Sequence, residues 1–446
     1  MLLIVGIFLV VIFILIFAVY FYRQMSYSEW LKTDDGVLQA LQTRLQRDPK
    51  DLNALRQAGA IFYKKGNFEK SFEHYSRMIV QIGPDIRKNY GVEERFQIYL
   101  EFGIAAYNIR KFDDAIISLQ KARTTIPNAM DLQLSLILGR LLYKKRQFAG
   151  ALIELENAHK LKKNDNSNNF YLGMCYVNLG RFKEALPLLE PLEIKYSEDP
   201  RFMLGLANCY DKTGDPERAL KYYDLVADDD TVGAVACYNA AAVRLLDNKT
   251  DEALACLKKS LEKDNPPGDL SYRSLYDSAK IYVKLGKLAD ACSSLQQLCD
   301  LNNGYRDAKV LLKNYQEMAK NYNLYLIYYG EKDQRSYVMR NLLQQLIPGI
   351  RHIENETYRK QTMEVVVNSL DRQEEFNYYV WVNLRNETIS LDKIYELLNR
   401  GKRAGCSRYI LIGSENFDAK AKEFSEMRSI DIIEGPAFRE KLLKIS

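Results

Sequence analysis

The chain has 446 residues, of which 47% are hydrophobic and 27% charged, and its formal net charge is +5. This ordinary globular composition excludes a wholly disordered chain and is long enough for two or three domains. The small net charge gives no bulk basic character that would indicate a nucleic-acid partner. Seven cysteines without a CxxC pair indicate buried thiols in a reducing compartment and not a disulfide framework or a zinc site.

Residues 1–22 form an uncharged segment made almost wholly of Leu, Ile, Val and Phe. As a helix rising about 1.5 Å per residue, they would span about 33 Å, enough for the hydrocarbon core of a bilayer. The alternative, a cleaved signal peptide, lacks a basic n-region and a small-residue cleavage site here. Because Arg23 and Lys32 follow the segment, the positive-inside rule predicts a single-pass membrane protein with the bulk of the chain in the cytoplasm.

Residues 23–50 are predicted to be a juxtamembrane segment that ends in a capping helix. Val37, Leu38, Leu41 and Leu45 keep helical spacing, which indicates one apolar face. The polar residues between them suit the outer face that a terminal repeat needs.

Residues 51–303 repeat one helical-hairpin pattern seven times. Each copy has a turn, a small residue five positions after the turn start and another small residue seven positions before it, and the central copies are spaced 34 residues apart. The turn starts are Gly66, Arg110, Arg146, Gly180, Gly214, Asn248 and Gly286. The preceding small residues are Gly59, Gly103, Gly139, Gly173, Ala207, Ala241 and Ala279.

A 34-residue period with small residues at these positions resembles the tetratricopeptide repeat (TPR) family. The resemblance implies a mainly α fold, an α-solenoid of closely crossing helix pairs. It also implies that the first helix of each repeat lines a concave surface that takes peptide segments. Mapped by position, the groove residues are Arg56, Tyr63, Lys64, Tyr107, Arg140, Tyr143, Lys144, Phe170, Asn208, Tyr238, Tyr276 and Lys280.

This groove set is aromatic and basic, which favours a protein partner with an acidic segment or a terminal carboxylate beside apolar anchors. The alternative is that several of the tyrosines pack between neighbouring helices. The asparagine positions of the family's chaperone-binding carboxylate clamp read Ala60, Ile104 and Arg140 in the early repeats, so a chaperone tail is not the expected ligand.

Residues 304–322 are predicted to be a helix that caps the array, and residues 323–446 a small α/β domain in which the repeats stop. The predicted strands of that domain are 325–329, 350–353, 363–367, 377–384, 409–412 and 430–433. Its predicted helices are 336–346, 391–398, 419–427 and 437–443.

The order of these elements, with residues 410–414, 417–424 and 430–443, resembles the restriction-endonuclease-like domains of the Mrr type. The resemblance implies an acid on one strand and an acid-x-Lys on the next, which together hold Mg²⁺ and orient the attacking water. Here those positions read Glu364, Asn383 and Arg385. Asparagine carries no charge and arginine stays protonated, so the resemblance implies a degenerate domain that is catalytically inactive.

The sequence therefore predicts a membrane-anchored adaptor or scaffold that binds protein or peptide partners and has neither an enzymatic activity nor a cofactor. One rival is a membrane-tethered Mg²⁺-dependent nuclease or nucleic-acid-binding protein whose metal site is completed by Asp371, Glu374 or Glu375. A second rival keeps the adaptor but places it outside the cytoplasm, in envelope assembly.

Overall fold

The computed structural model describes residues 33–83, 86–263, 268–359, 361–371, 373–428 and 430–445, together with Val19 and Pro266. These residues fall into two compact units, divided between Tyr222 and Tyr223. The predicted transmembrane segment lies almost wholly outside the described residues. Within the described part of the chain, no helix has both the length and the apolar character needed to cross a bilayer.

The first unit consists of antiparallel helix pairs. Among the residues that the structure describes, these pairs follow a capping helix, α1 (Asp34–Arg47), in which Leu38, Leu41 and Leu45 are buried. The pairs that follow are α2 (Leu52–Lys64) with α3 (Phe68–Ile82), α4 (Val92–Asn108) with α5 (Phe112–Thr125), α6 (Leu132–Lys144) with α7 (Phe148–Leu161), α8 (Asn166–Asn178) with α9 (Phe182–Leu189), and α10 (Pro200–Thr213) with α11 (Pro216–Leu225), which crosses the division between the units.

Two irregular stretches interrupt this regularity. The extra residues between the first two repeats contain a 3₁₀ turn, Ile86–Lys88, and are followed by a first helix of 17 residues, α4. Helix α9 ends early and continues as the 3₁₀ turns Glu190–Leu192 and Ile194–Tyr196. Pro191 has no N–H to donate to the carbonyl of Pro187, which explains why the α-helical ladder stops there.

The turn inside each repeat is set by one residue in the left-handed region. All seven predicted turn starts have positive φ, between 58° at Asn248 and 92° at Gly214. The next residue donates its N–H to the carbonyl five positions back, as Arg181 does to Tyr176 at 2.8 Å. This is the Schellman arrangement that ends a helix, and it confirms the predicted turns.

The paired helices approach closely where the small residues lie. A Cβ built on Gly173 would lie 2.4 Å from Cδ2 of Leu189, and one on Gly103 or Gly139 would lie 2.7 Å from the facing leucine. In the first repeat, the Ser71 hydroxyl donates to the Gly59 carbonyl at 2.9 Å. A larger side chain would separate the helices, so the structure confirms the reason for the small-residue pattern.

Gly173→Ala is expected to destabilise the protein although alanine favours helices. The added methyl group overlaps Leu189, which is fully buried, and overpacking costs about 1–3 kcal/mol against about 1 kcal/mol gained in helix propensity. Gly150→Ala is the matched control because its nearest neighbour would be Leu142 at 3.5 Å. Urea unfolding should give a lower midpoint for Gly173→Ala and a higher one for Gly150→Ala; equal shifts would mean that the helix crossing accommodates a Cβ.

The second unit begins with the end of α11, contains the last two repeats and continues into a sheet domain. Its remaining helices are α12 (Gly233–Leu246), α13 (Thr250–Glu262), α14 (Leu270–Lys284), α15 (Leu288–Leu301), α16 (Ala308–Lys320), α17 (Tyr322–Tyr329), α18 (Lys332–Leu346), α19 (Leu391–Arg403), α20 (Ala419–Met427) and α21 (Gly435–Leu443). Its strands are β1 (Ile350–Tyr358), β2 (Thr362–Asp371), β3 (Glu374–Asn383), β4 (Arg408–Gly413) and β5 (Asp431–Ile433).

The five strands form one sheet in sequence order, β1-β2-β3-β4-β5. The first three strands are antiparallel, and β3, β4 and β5 run parallel, with α19 and α20 in the two connections. Side chains of β3 alternate between two cores. Val380 and Val382 pack with α18 and α21, whereas Tyr379 and Trp381 pack with α19 and α20, so helices cover both faces of the sheet.

The predicted strand at residues 325–329 is wrong, because those residues belong to α17. The segment YNLYLIYY is apolar at nearly every position, so no periodicity of two or 3.6 residues distinguishes the two structures. The side-chain oxygen of Asn321 accepts the N–H of Leu324 and caps the helix. Tyr322, Tyr325 and Tyr329 then stack along one face, which only a helix permits at that spacing.

One hydrophobic core runs through the last repeats and the sheet domain. It extends from Ala241 to Ile445 and includes Tyr315 and Met318 of α16 as well as strand residues such as Val365. The predicted capping helix at residues 304–322 is present as α16, but its apolar residues belong to a core that continues through α17 into the sheet. Apolar packing therefore continues from the last repeats into the sheet domain.

Candidate functional site

The first helices of consecutive repeats in the first unit contact one another: α2 touches α4, α4 touches α6, α6 touches α8 and α8 touches α10. The predicted groove residues of this unit project from these helices. The hydroxyl of Tyr63 in the first repeat reaches Oε1 of Gln133 in the third repeat, at 3.4 Å. A side chain that spans the second repeat in this way shows that the first helices present a common face.

Four side chains gather at the middle of this face. The Arg140 guanidinium lies 5.6 Å from the ring centroid of Tyr171, and the ring of Tyr171 meets that of Tyr143 edge-on, with centroids 5.3 Å apart. Tyr107 lies close enough to act electrostatically on the phenol of Tyr171. We call Tyr107, Arg140, Tyr143 and Tyr171 the Arg140 cluster; it draws on the second, third and fourth repeats.

The Arg140 cluster combines one cation with neutral phenols, and the charge of Arg140 also helps to lower the pKa of Asp165. Burial raises the pKa of Tyr143 to about 12. Burial also raises the pKa of Tyr171, against the opposing effect of Arg140. Both phenols therefore stay protonated at neutral pH and can donate hydrogen bonds. Nε of Arg140 is buried without a hydrogen-bond partner in the structure, which is costly for a charged group.

Two further basic groove residues are engaged within the array. The ammonium of Lys64 pairs with Asp34 of the capping helix at 3.2 Å. The guanidinium of Arg56 lies 3.8 Å from the carboxylate of Glu94, although its Nε is also buried without a partner. Exposed ion pairs of this kind contribute little to stability, so they hold these side chains in place only weakly.

Three other predicted residues of the first unit have different surroundings. The half-buried ring of Phe170 packs on Tyr196 and on the fully buried Phe202, with centroid distances of 4.5 and 5.9 Å, so it serves repeat packing. Lys144 lies over the ring of Phe112 at 5.7 Å and lines a 640 Å³ cleft beside the turn of the second repeat. Asn208 is half-buried on α10.

In the second unit the predicted tyrosines join neighbouring elements. Tyr238 donates to Asp277 at 2.9 Å and Tyr276 to Asp307 at 2.7 Å. Burial raises the pKa of each to about 12, and Tyr276 is only 6% exposed. Lys280 lies exposed over the ring of Tyr276. Here the alternative interpretation, packing between helices, describes the tyrosines better than a binding groove does.

Sequence reasoning missed two members of the common face, Tyr171 and Gln133. No other repeat has an aromatic residue at the position of Tyr171, where for example Gln57 and Asp277 lie. The repeat pattern therefore contained no signal for it. Only the packing of the third repeat against the fourth places its ring beside Arg140.

Two of the three proposed degenerate catalytic residues, Glu364 and Asn383, lie on the face of the sheet that α19 covers. Glu364 is opposite Trp381 and Asn383 is opposite Thr362 in the β2–β3 register. The two oxygens of Glu364 accept hydrogen bonds from Arg400 at 2.6 Å and from Tyr379 at 2.9 Å. Glu364 is therefore already neutralised by a cation from α19.

Asn383, the last residue of β3, and Arg385 both bind Glu387 in the loop that follows the strand. The Asn383 amide is 1% exposed; it donates to Glu387 at 3.2 Å and accepts the N–H of Arg385, also at 3.2 Å. The guanidinium of Arg385 lies 3.9 Å from Glu387 and is more than half exposed. Both side chains are therefore engaged with Glu387.

The three acids suggested as substitutes lie at the other end of the β2–β3 hairpin. Asp371 pairs with Glu374 in the register, and Glu375 binds Arg351 at 3.0 Å. Asp371 is seven residues along β2 from Glu364, or about 23 Å at 3.3 Å per residue. Among the residues that the structure describes, no three His, Cys, Asp or Glu side chains are grouped so as to hold a metal ion.

The fold and the repeat geometry define the helical part of this molecule as a TPR-like solenoid. Two family models described as tetratricopeptide repeat match residues 176–236 and 273–302. A comparison with curated proteins found no match.

Three solved structures are among those to which the chain is similar. YrrB, described as a TPR protein with an unusual peptide-binding site, is 22% identical over 42% of this chain and 92% of its own, with a TM-score of 0.33. The C-terminal part of a TPR protein from Cytophaga hutchinsonii is 16% identical over 57% and 98%, with a TM-score of 0.38. A tetratricopeptide repeat protein from Parabacteroides merdae is 15% identical over 59% and 98%, with a TM-score of 0.33.

Proposed function

We propose that this chain is a membrane-anchored interaction scaffold that binds a protein segment across the Arg140 cluster. The segment is acidic or ends in a free carboxylate, and it carries an apolar anchor. The observation that carries this proposal is the guanidinium of Arg140, which lies over the ring of Tyr171 and is surrounded by three phenols on a common helix face. A carboxylate would supply the acceptor, and the tyrosine rings would supply contact area at a low cost in side-chain entropy.

Arg140→Glu is expected to abolish this recognition by placing a carboxylate where the ligand carboxylate would bind. The test is capture of a peptide array whose members end in a free carboxylate or in an amide. Repulsion together with loss of a charged hydrogen bond should lower capture at least about tenfold. Lys183→Glu, the same charge change at an exposed residue of α9, is the control, and both variants should unfold at the same urea concentration. Equal capture by the two variants would reject the Arg140 cluster as the site.

The membrane anchor, residues 1–22, is part of the same proposal. It is supported by the length and apolar character of that segment. Deleting it should move the chain from the membrane fraction to the soluble fraction. Protease digestion of intact and permeabilised cells then distinguishes a cytoplasmic scaffold from one in the envelope. Cys406 is a poor probe for this purpose because it is buried and its burial raises the pKa of its thiol.

We also propose that residues 323–446 are a restriction-endonuclease-like module that has lost catalysis and serves as a structural or protein-binding element. The ion pair of Glu364 with Arg400 and the neutral Asn383 support this assignment. The test is a DNA cleavage assay of the full chain with Mg²⁺, with Glu364→Ala as the control. Cleavage that disappears in Glu364→Ala would instead favour the rival proposal of a Mg²⁺-dependent nuclease.

A further inference from the structure

A second basic site lies away from the Arg140 cluster, between the first two repeats. A cleft of 230 Å³ opens where the ends of α3 and α5 meet the start of α4 and the 3₁₀ turn after α3. Its polar lining consists of Arg87, Arg95, Tyr99, Lys121, Thr124 and Thr125, and we call this set the basic cleft. Ile79, Ile82 and Ile86 form an apolar wall.

Tyr99 is the centre of the basic cleft. The ammonium of Lys121 lies over its ring, 5.6 Å from the centroid. Burial raises the pKa of the Tyr99 phenol, and both Arg95 and Arg87 lower it, so the two guanidinium groups lie near the hydroxyl. Three cations from three different elements therefore converge on one half-buried phenol.

These three cations have no carboxylate partner among the described residues. The Nε–H of Arg95 donates to the Gly91 carbonyl at 3.3 Å, which leaves its two terminal nitrogens for a ligand. The hydroxyls of Thr124 and Thr125 donate their hydrogens to the Lys121 carbonyl. Only their acceptor lone pairs are left for a ligand. The donors that face the cleft are thus two guanidinium groups, one ammonium and one phenol.

The charge of the basic cleft matches a doubly charged anion. Three cations contribute about +3, and the C-termini of α3 and α5, which end at the cleft, contribute about −0.5 each. The sum is about +2, against about −1.5 to −2 for a phosphate monoester at neutral pH. Planar guanidinium groups suit phosphate oxygens because they bind in a bidentate manner. The apolar wall excludes water from one side and so strengthens these interactions.

We propose that the basic cleft binds the phosphate group of a small phosphomonoester, or inorganic phosphate. The volume agrees with this ligand class, since pockets that enclose drug-sized molecules measure about 300–1,000 Å³. The site uses none of the residues of the Arg140 cluster, so it supplies the scaffold with a second, chemically different ligand. This inference does not depend on the function proposed for the Arg140 cluster.

The test is calorimetric titration of the full chain with inorganic phosphate in a chloride buffer of fixed ionic strength. Arg95→Gln and Lys121→Gln each remove one donor and one charge, and each should weaken phosphate binding about tenfold. Lys183→Gln is the matched control and should bind as the unchanged chain does. Lys121 is exposed, so its replacement leaves the fold intact even if Arg95→Gln disturbs the start of α4.

Absence of phosphate binding by the unchanged chain, or equal binding by Lys121→Gln and Lys183→Gln, would overturn the proposal. A parallel titration with O-phosphoserine identifies the source of the phosphate group. Tighter binding of O-phosphoserine than of inorganic phosphate assigns the cleft to phosphomonoesters; weaker binding assigns it to the free ion.

Discussion

Arg123→Met is expected to lower the free energy of unfolding by about 3–5 kcal/mol, because it leaves a buried carboxylate without its partner. Arg123 is bidentate to Glu154, at 2.9 and 2.6 Å. It also donates to Ser135 at 2.9 Å and to the Ala129 carbonyl at 2.8 Å. Glu154 is only 5% exposed. One side chain thus joins the second repeat to both helices of the third.

The double variant Arg123→Met/Glu154→Met separates two explanations of that loss. Replacing a buried ion pair by apolar residues of similar size is often neutral. We therefore expect the double variant to recover most of the stability that Arg123→Met loses in urea unfolding. If it is instead less stable than Arg123→Met, the backbone and Ser135 contacts of Arg123 matter more than its charge.

A chain ended at Tyr322 is expected to lose the cooperative stability of its last two repeats. The cut removes most of α17, all of the sheet, and α21, which contacts α17. It exposes apolar residues of α16 such as Leu312, Tyr315 and Met318, all at most 9% exposed in the intact chain. Each large apolar side chain returned to water costs about 1.5–3 kcal/mol, so fully exposing these three alone should cost about 4.5–9 kcal/mol.

Amide hydrogen exchange measures this effect directly, because it reports the opening of α14 and α15 separately from that of the earlier repeats. A milder test of the same contact is the substitution Asn321→Ala in the full chain. It removes the cap of α17 and the hydrogen bond from Asn321 to the Arg439 carbonyl, 3.1 Å long, and should cost about 1–3 kcal/mol. Unchanged protection in the shortened chain would show that an independent domain does end at Tyr322, as the sequence predicts.

Local structure within the repeats could be predicted well from the sequence. Every predicted turn start is left-handed, including Arg110 and Arg146, where the residue type itself does not favour that conformation. The prediction succeeded because the geometry of one helical hairpin repeats seven times. Each copy shows the same turn pattern, so a turn whose own residues indicate it only weakly is supported by the six other turns.

The prediction failed where a segment occurs once and its environment decides its structure. Residues 325–329 carry apolar side chains on all sides, and their helix is selected by the Asn321 cap and by burial between repeat and sheet. The state of Glu364 likewise depends on Arg400, 36 residues away. Nothing in the local sequence around either residue indicates this pairing.

By itself, the sequence determined the helical period, the left-handed turns, the close helix crossings and the order of nearly all strands and helices, because these depend on contacts within one or two adjacent elements. Only the tertiary structure decided which polar side chains meet. In the tertiary structure Arg140 lies beside Tyr171 on the common face, whereas tyrosines such as Tyr276 are engaged in packing. The tertiary structure also brings Arg87, Arg95 and Lys121 together around Tyr99. Such sites combine residues from different repeats, and the relative placement of neighbouring repeats is set by packing that no single repeat encodes.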